Sequence, residues 1–166
     1  APSRREPTAP RVDRTLYDVA AAAAAWFRRQ LAGPSGASAR AYLERRGLEP
    51  AVQAAFGIGW ASPEWGALRR ALKSEGFGEG QLVEAGLLVV PDDGGEAYDR
   101  FRERVIFPIE DGRGRVVGFG GRAMGDAKPK YLNSPDGPLF HKGRLLYNLA
   151  RAGGPARERG SVIVAE

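Results

Sequence analysis

Three short segments hold the side chains best suited to chemistry on a polyanion. Lys128-Pro129-Lys130-Tyr131-Leu132-Asn133-Ser134-Pro135 combines cations, an aromatic ring and short polar groups. That mixture suits phosphate contacts with a base or sugar packed alongside. Phe140-His141-Lys142-Gly143-Arg144 adds a second cationic cluster. Gly118-Phe119-Gly120-Gly121-Arg122 puts three glycines into a strand pattern. Glycines there weaken a sheet but let another backbone or a ligand approach closely. The same residues also read as ordinary surface loops and a bulged hairpin. No Gly-Lys-Ser/Thr follows at Walker spacing, and the glycines open no helix, so neither standard nucleotide loop is present. Glu166 follows a buried-looking strand. A carboxylate at the carboxyl end of a strand is a standard catalytic location, but one carboxylate alone does not hold Mg2+ on a phosphate.

Composition removes several other chemistries. The 166-residue chain has no Cys and one His, His141. Disulfides, thiol catalysis and zinc fingers are excluded on that count, and a His triad or multi-His metal site is not expected. His141 reads as a loop residue. No apolar run approaches the roughly 20 residues of a membrane span. Ala1 to Arg14 is basic and Pro-rich without an apolar stretch, so it does not read as a secretory signal, and a cytoplasmic location is expected.

The charge is unevenly spread. The formal net charge is +5. Residues 1–46 hold nine basic and four acidic side chains, residues 47–98 three and eight, and residues 99–144 ten and six. Two basic regions that meet in space favour a polyanion; apart, they are a solvated surface. The chain has 21 Arg but only four Lys, and Lys128, Lys130 and Lys142 are three of them. Lys and Arg are not interchangeable at a phosphate, so this clustering marks the same segment.

These residues need elements to position them. Residues 1–14 read as a linker-like lead-in. Leu16, Val19, Ala20, Ala23, Phe27 and Leu31 recur at helical spacing, which predicts a helix over 15–31, stopped by Gly33-Pro34-Ser35-Gly36. Ser38 is placed to cap a helix to Arg46, with Gly47 as its stop. Pro50 starts another, and Ser62-Pro63-Glu64 a third, with Trp65, Leu68 and Leu72 on one face and Gly76 as its end. A short helix follows over 79–85. The period then changes. Strands are expected over 87–90, 104–109 and 115–124, the last two joined as a hairpin through Glu110–Gly114. Pro108 would place its strand at an edge or bulge. Residues 125–138 read as a long loop, 145–152 as a helix and 161–165 as a buried strand. The three Trp (Trp26, Trp60, Trp65) and Phe107 read as core. The expected class is α+β: a helical part over 15–86, then a mixed, mostly antiparallel sheet over 87–160.

The motifs together resemble a known family. Tyr98 to Ile109 (YDRFRERVIFPI), Gly114 to Arg122 (GRVVGFGGR), Pro129 to Pro135 (PKYLNSP) and Phe140 to Gly143 (FHKG) with Leu146-Tyr147 are similar to the polymerase core of bacterial DnaG-type primases. Tyr42 to Leu48 and Phe56 to Trp60 also fit, so the resemblance covers about residues 15–166. It implies the basic N-terminal subdomain of the RNA-polymerase domain, with residues 161–166 as the first strand of a toprim fold. By the resemblance, Glu166 matches a general acid/base that also approaches metal, in an incomplete site. Arg46, Arg122, Lys130 and Lys142 match positions that hold single-stranded template DNA or nucleotide phosphates. Tyr131 and Asn133 match shaping positions. The resemblance further implies ribonucleoside triphosphate substrates, Mg2+ (or Mn2+), zinc in a separate domain, a replicative helicase as partner, no membrane and a monomer. Without the later Asp-rich motifs, the segment is expected to grip substrates rather than polymerise alone. Two other readings stand beside this one: an autonomous single-strand-binding module, and a protein-interaction scaffold built on the helical half.

Overall fold

A computed structural model describes residues 15–141. The lead-in 1–14, the helix expected from 145, the strand 161–165, and the site residues Lys142 and Glu166 lie outside the described residues.

Helix α1 spans Leu16–Ala32 and begins with a capping box. The Thr15 side chain accepts from the Asp18 N–H at 3.2 Å, and the Thr15 N–H donates to Asp18 Oδ2 at 2.8 Å. Its buried face carries Val19, Ala23, Phe27 and Leu31, as the spacing predicts. A 3-10 turn over Pro34–Gly36 leads directly into α2, Ala37–Arg45. Ser38 therefore does not cap α2. Gly36 is the capping residue, because its missing side chain lets it sit on the end of α1, where a β-carbon would lie 2.3 Å from the Leu31 carbonyl oxygen. Gly47, at φ 86°, ends α2 as expected. Helix α3 is Pro50–Ala55, with Pro50 in its first turn.

The first half is not purely helical. Gly59–Ala61 is a strand, β1. Helix α4 covers Ala67–Ser74 and starts after Gly66 rather than at Ser62-Pro63-Glu64. Helix α5 is Glu79–Glu84. Strands β2 (Leu88–Val89) and β3 (Tyr98–Asp99) form a small antiparallel ribbon. Strands β4 (Arg104–Glu110), β5 (Val116–Ala123) and β6 (Tyr131–Asn133) follow. The main sheet has the order β1-β4-β5-β6, antiparallel throughout. The expected hairpin is β4–β5. The expected loop 125–138 instead contains the edge strand β6. Pro108 lies in an interior strand, opposite Phe119 of β5, but β1 pairs no further than Gly59 with Ile106, so on the β1 side Pro108 meets the Gly57 turn.

Residues opposite one another in an antiparallel pair share a face. One face carries Ile106, Gly121 and Leu132, with Phe119 two residues along, and packs on α1. Phe27 makes edge contacts there with Phe119 (5.4 Å) and Phe101 (6.4 Å). The other face carries the row Trp60, Val105, Arg122, Tyr131 and packs on α2 through Ala39 and Leu43. Trp26 and Trp60 are buried, as expected, whereas Phe107 is only half-buried and packs against the cluster around Trp60 rather than within it. Trp65 is not core: it is 59% exposed, because α4 begins two residues after it. Among the described residues no helix is long and apolar enough to cross a membrane.

Candidate nucleic-acid interface

Four of the expected site residues meet around Tyr42. Arg122, on β5, donates from Nε to the Tyr131 hydroxyl at 3.2 Å and from Nη1 to the Tyr42 hydroxyl. Its guanidinium carbon is 5.3 Å from the Tyr42 ring centre and 5.5 Å from that of Tyr131. Arg46 caps the end of α2 and lies 5.5 Å from the other partner of this arrangement, the Tyr42 ring. Lys130 Nζ lies 5.9 Å from the Tyr131 ring. The hydrogen bond to Tyr131 holds Arg122 above its ordinary pKa, against the effect of burial. The result is three cations on two tyrosines, with the Arg122 guanidinium held by both hydroxyls. Cation–π contact of this kind orients Arg without neutralising it, so its charge stays available to a phosphate.

Asn133 enters by its main chain. Its carbonyl accepts from Arg100 Nε (3.1 Å) and Nη2 (2.7 Å), and its side chain is exposed opposite Gly120.

A groove of about 250 Å³ lies on the other side of β6, lined by Trp65, Arg100, Arg102, Glu103, Arg104 and Lys128 among others. The Arg102 guanidinium covers the Trp65 ring at 3.7 Å and lies 5.2 Å from Tyr98. Trp65 and Tyr98 meet edge to face at 4.9 Å. Buried Arg104 donates from Nη1 to the carbonyls of Gly121 and Lys130, both at 3.4 Å. Burial lowers the pKa of Arg100 and Arg104, and the charges of Arg102 and Arg100 lower that of Arg104 further. Arg stays protonated under such shifts, so the repulsion is stored in the groove.

Asp99 ties together two of the residues that line this groove, Trp65 and Arg102. Its N–H donates to the Trp65 carbonyl at 2.8 Å, and its carbonyl accepts from Arg102 Nη1 at 2.5 Å. Its carboxylate caps α4, accepting from the N–H groups of Leu68 (2.8 Å) and Arg69 (3.1 Å). Burial pushes this carboxyl up to about 6, against those two bonds and the charges of Arg70 and Arg102.

Arg46, Arg100, Arg102, Arg104, Arg122, Lys128 and Lys130 make no ion pair among the described residues. The paired cations, such as Arg69, Arg70 and Arg115, lie elsewhere. Sequence reasoning assigned no role to Tyr42, Arg100, Arg102 or Arg104 and put Trp65 in the core. The alternation Arg100-x-Arg102-x-Arg104 was a readable signal.

The model of the DNA primase catalytic core, N-terminal domain, matches residues 26–153. The chain belongs to this family. It is 44% identical over 163 residues to a DNA primase of Pseudomonas putida, which is 98% of this chain and 24% of that protein. It is 46% identical over 152 residues to the DNA primase of Escherichia coli K12, 92% of this chain and 26% of that one. The chain thus spans about a quarter of the length of these primases. Its fold matches the DnaG primase catalytic domain bound to single-stranded DNA, with a TM-score of 0.74 and 44% identity, over 87% of this chain and 45% of that one. It also matches the RNA polymerase domain of Mycobacterium tuberculosis primase in complex with a double-stranded DNA carrying a 6-nucleotide overhang. There the TM-score is 0.71 and the identity 37%, over 76% and 40% of the two chains. The α+β class, with helices leading into an antiparallel sheet, matches the part of the family's catalytic cores that this chain covers.

Proposed function

We propose that this chain is the substrate-gripping part of a bacterial DNA primase and that it does not polymerise alone. The observation that carries this is the gathering, around edge strand β6 and Tyr42, of cations that make no ion pair among the described residues. Surface cations normally spread out or pair with carboxylates; Arg46, Arg100, Arg102, Arg122, Lys128 and Lys130 have no carboxylate partner among the described residues, which leaves their charge open to an anion. The Trp65–Arg102 groove suits a single template strand, with a base on the indole and phosphates on Arg100, Arg102 and Lys128. The Arg46–Arg122–Lys130 cluster suits the phosphates of a ribonucleoside triphosphate, which Arg122 meets with a planar fork.

Among the described residues no three His, Cys, Asp or Glu side chains come together as a metal site. The described residues therefore do not fit the Mg2+ or Mn2+ of primer synthesis. In this reading Glu166 is the general acid/base at the start of the toprim part, zinc belongs to another domain, and the replicative helicase docks on another part of a cytoplasmic enzyme.

The test is fluorescence anisotropy of a labelled single-stranded oligonucleotide at several salt concentrations. Wild type, Arg122→Ala, Lys130→Ala and Arg102→Ala are compared, with Arg70→Ala as the control cation outside the site. Each lost phosphate contact makes the salt slope shallower by about one unit. Binding that is equal in all variants would sink the reading.

A further inference from the structure

Three consecutive residues, Arg102, Glu103 and Arg104, all line the groove. Extended backbone forbids this, because successive side chains point to opposite sides. The exception is made at Glu103, which has φ 52°. Glycine adopts that conformation freely, whereas a glutamate adopts it at a cost. The kink is pinned on both sides. The Glu103 N–H donates to the Ser62 carbonyl at 3.0 Å, and its carbonyl accepts from the Met124 N–H at 3.2 Å. Glu103 Oε2 reaches across to Gly125, 3.5 Å from the point a β-carbon there would occupy. Glu103 is the one carboxylate lining the groove, and it makes no ion pair among the described residues although four cations line the same groove.

We propose that Glu103 limits how tightly the groove holds a nucleic-acid strand. An unpaired carboxylate at that place neutralises no arginine. It repels each phosphate that the arginines attract, so a strand is held loosely and released readily. The inference rests on the groove reading above.

The experiment measures anisotropy of a fluorescein-labelled single-stranded oligonucleotide with wild type, Glu103→Gln, Glu103→Gly and Arg102→Ala. Glu103→Gln removes charge and keeps size; Glu103→Gly removes charge and keeps the kink. Both are expected to tighten binding about threefold to tenfold at low salt, with the gain fading as salt rises. Unchanged or weaker binding by Glu103→Gln, while Arg102→Ala weakens it, overturns the inference and leaves the groove standing. A gain that persists at high salt also overturns it, since charge repulsion is screened. If Arg102→Ala binds like wild type, the groove reading fails and takes this inference with it.

Discussion

Arg102 lies 3.7 Å over the ring of Trp65, while Trp65 remains 59% exposed. A half-covered indole with a cation against it is a stacking platform next to a phosphate contact. Neither residue is held by chance, because Asp99 bonds to both through its main chain.

Removing the platform has a defined cost. Stacking one base on an aromatic side chain contributes about 1–3 kcal/mol. Trp65→Ala is expected to weaken single-strand binding by that amount, and Trp65→Phe by less. Of the three tryptophans only Trp65 is exposed, so titration with the oligonucleotide should quench its emission and leave Trp26 and Trp60 nearly unchanged. Undiminished binding by Trp65→Ala would exclude a base on this ring.

Asp99 predicts an inverted pH dependence. Its carboxyl is raised from 3.8 to about 6 by burial, so the folded protein holds this proton more tightly than the unfolded chain. The stability it contributes is fully present below about pH 3.8 and is lost as pH rises through about 6. Asp99→Asn cannot titrate there. The wild-type Tm minus the Asp99→Asn Tm should therefore increase as pH falls from 7 to 4. The opposite slope would mean that the helix cap outweighs burial.

Gly59 is predicted to be intolerant of alanine. A β-carbon there would sit 2.5 Å from Phe27 Cβ and 2.7 Å from its carbonyl carbon, and a helix backbone cannot turn aside as a side chain can. Gly59→Ala should cost about 1–3 kcal/mol or more. Gly112, with no neighbour within 4 Å, is the matched control and should change Tm little. Equal Tm values for the two variants would contradict the direct packing of α1 on β1.

Local signals were legible in the sequence, and non-local ones were not. Thr15, Pro50, Gly47 and Gly76 mark helix ends through their own backbone and side-chain chemistry, and the helices begin or end beside them. The start of α4 was misread because its cap is Asp99, 31 residues away along the chain. That error also placed Trp65 on a buried helix face. Strands β1 and β6 have only three residues each, too short to show a period, and exist because β4 and β5 offer ladders to join. Arg46, Arg122, Lys130 and Tyr131 were named from motifs. The β5–β6 ladder sets Arg122 beside Tyr131, and what joins Arg46 to them is Tyr42, whose place beside β5 depends on how α2 crosses the sheet.

The Arg100 fork on the Asn133 carbonyl has one more effect. Ala123 and Ser134 make the ladder bonds between β5 and β6, so by antiparallel alternation the Asn133 carbonyl points away from the sheet. An outward carbonyl on a border strand invites a strand from another molecule. Arg100 occupies it, so that carbonyl is closed to another strand while the fork stays in place. Were the Arg100 fork withdrawn, that border would be open to a strand from another molecule.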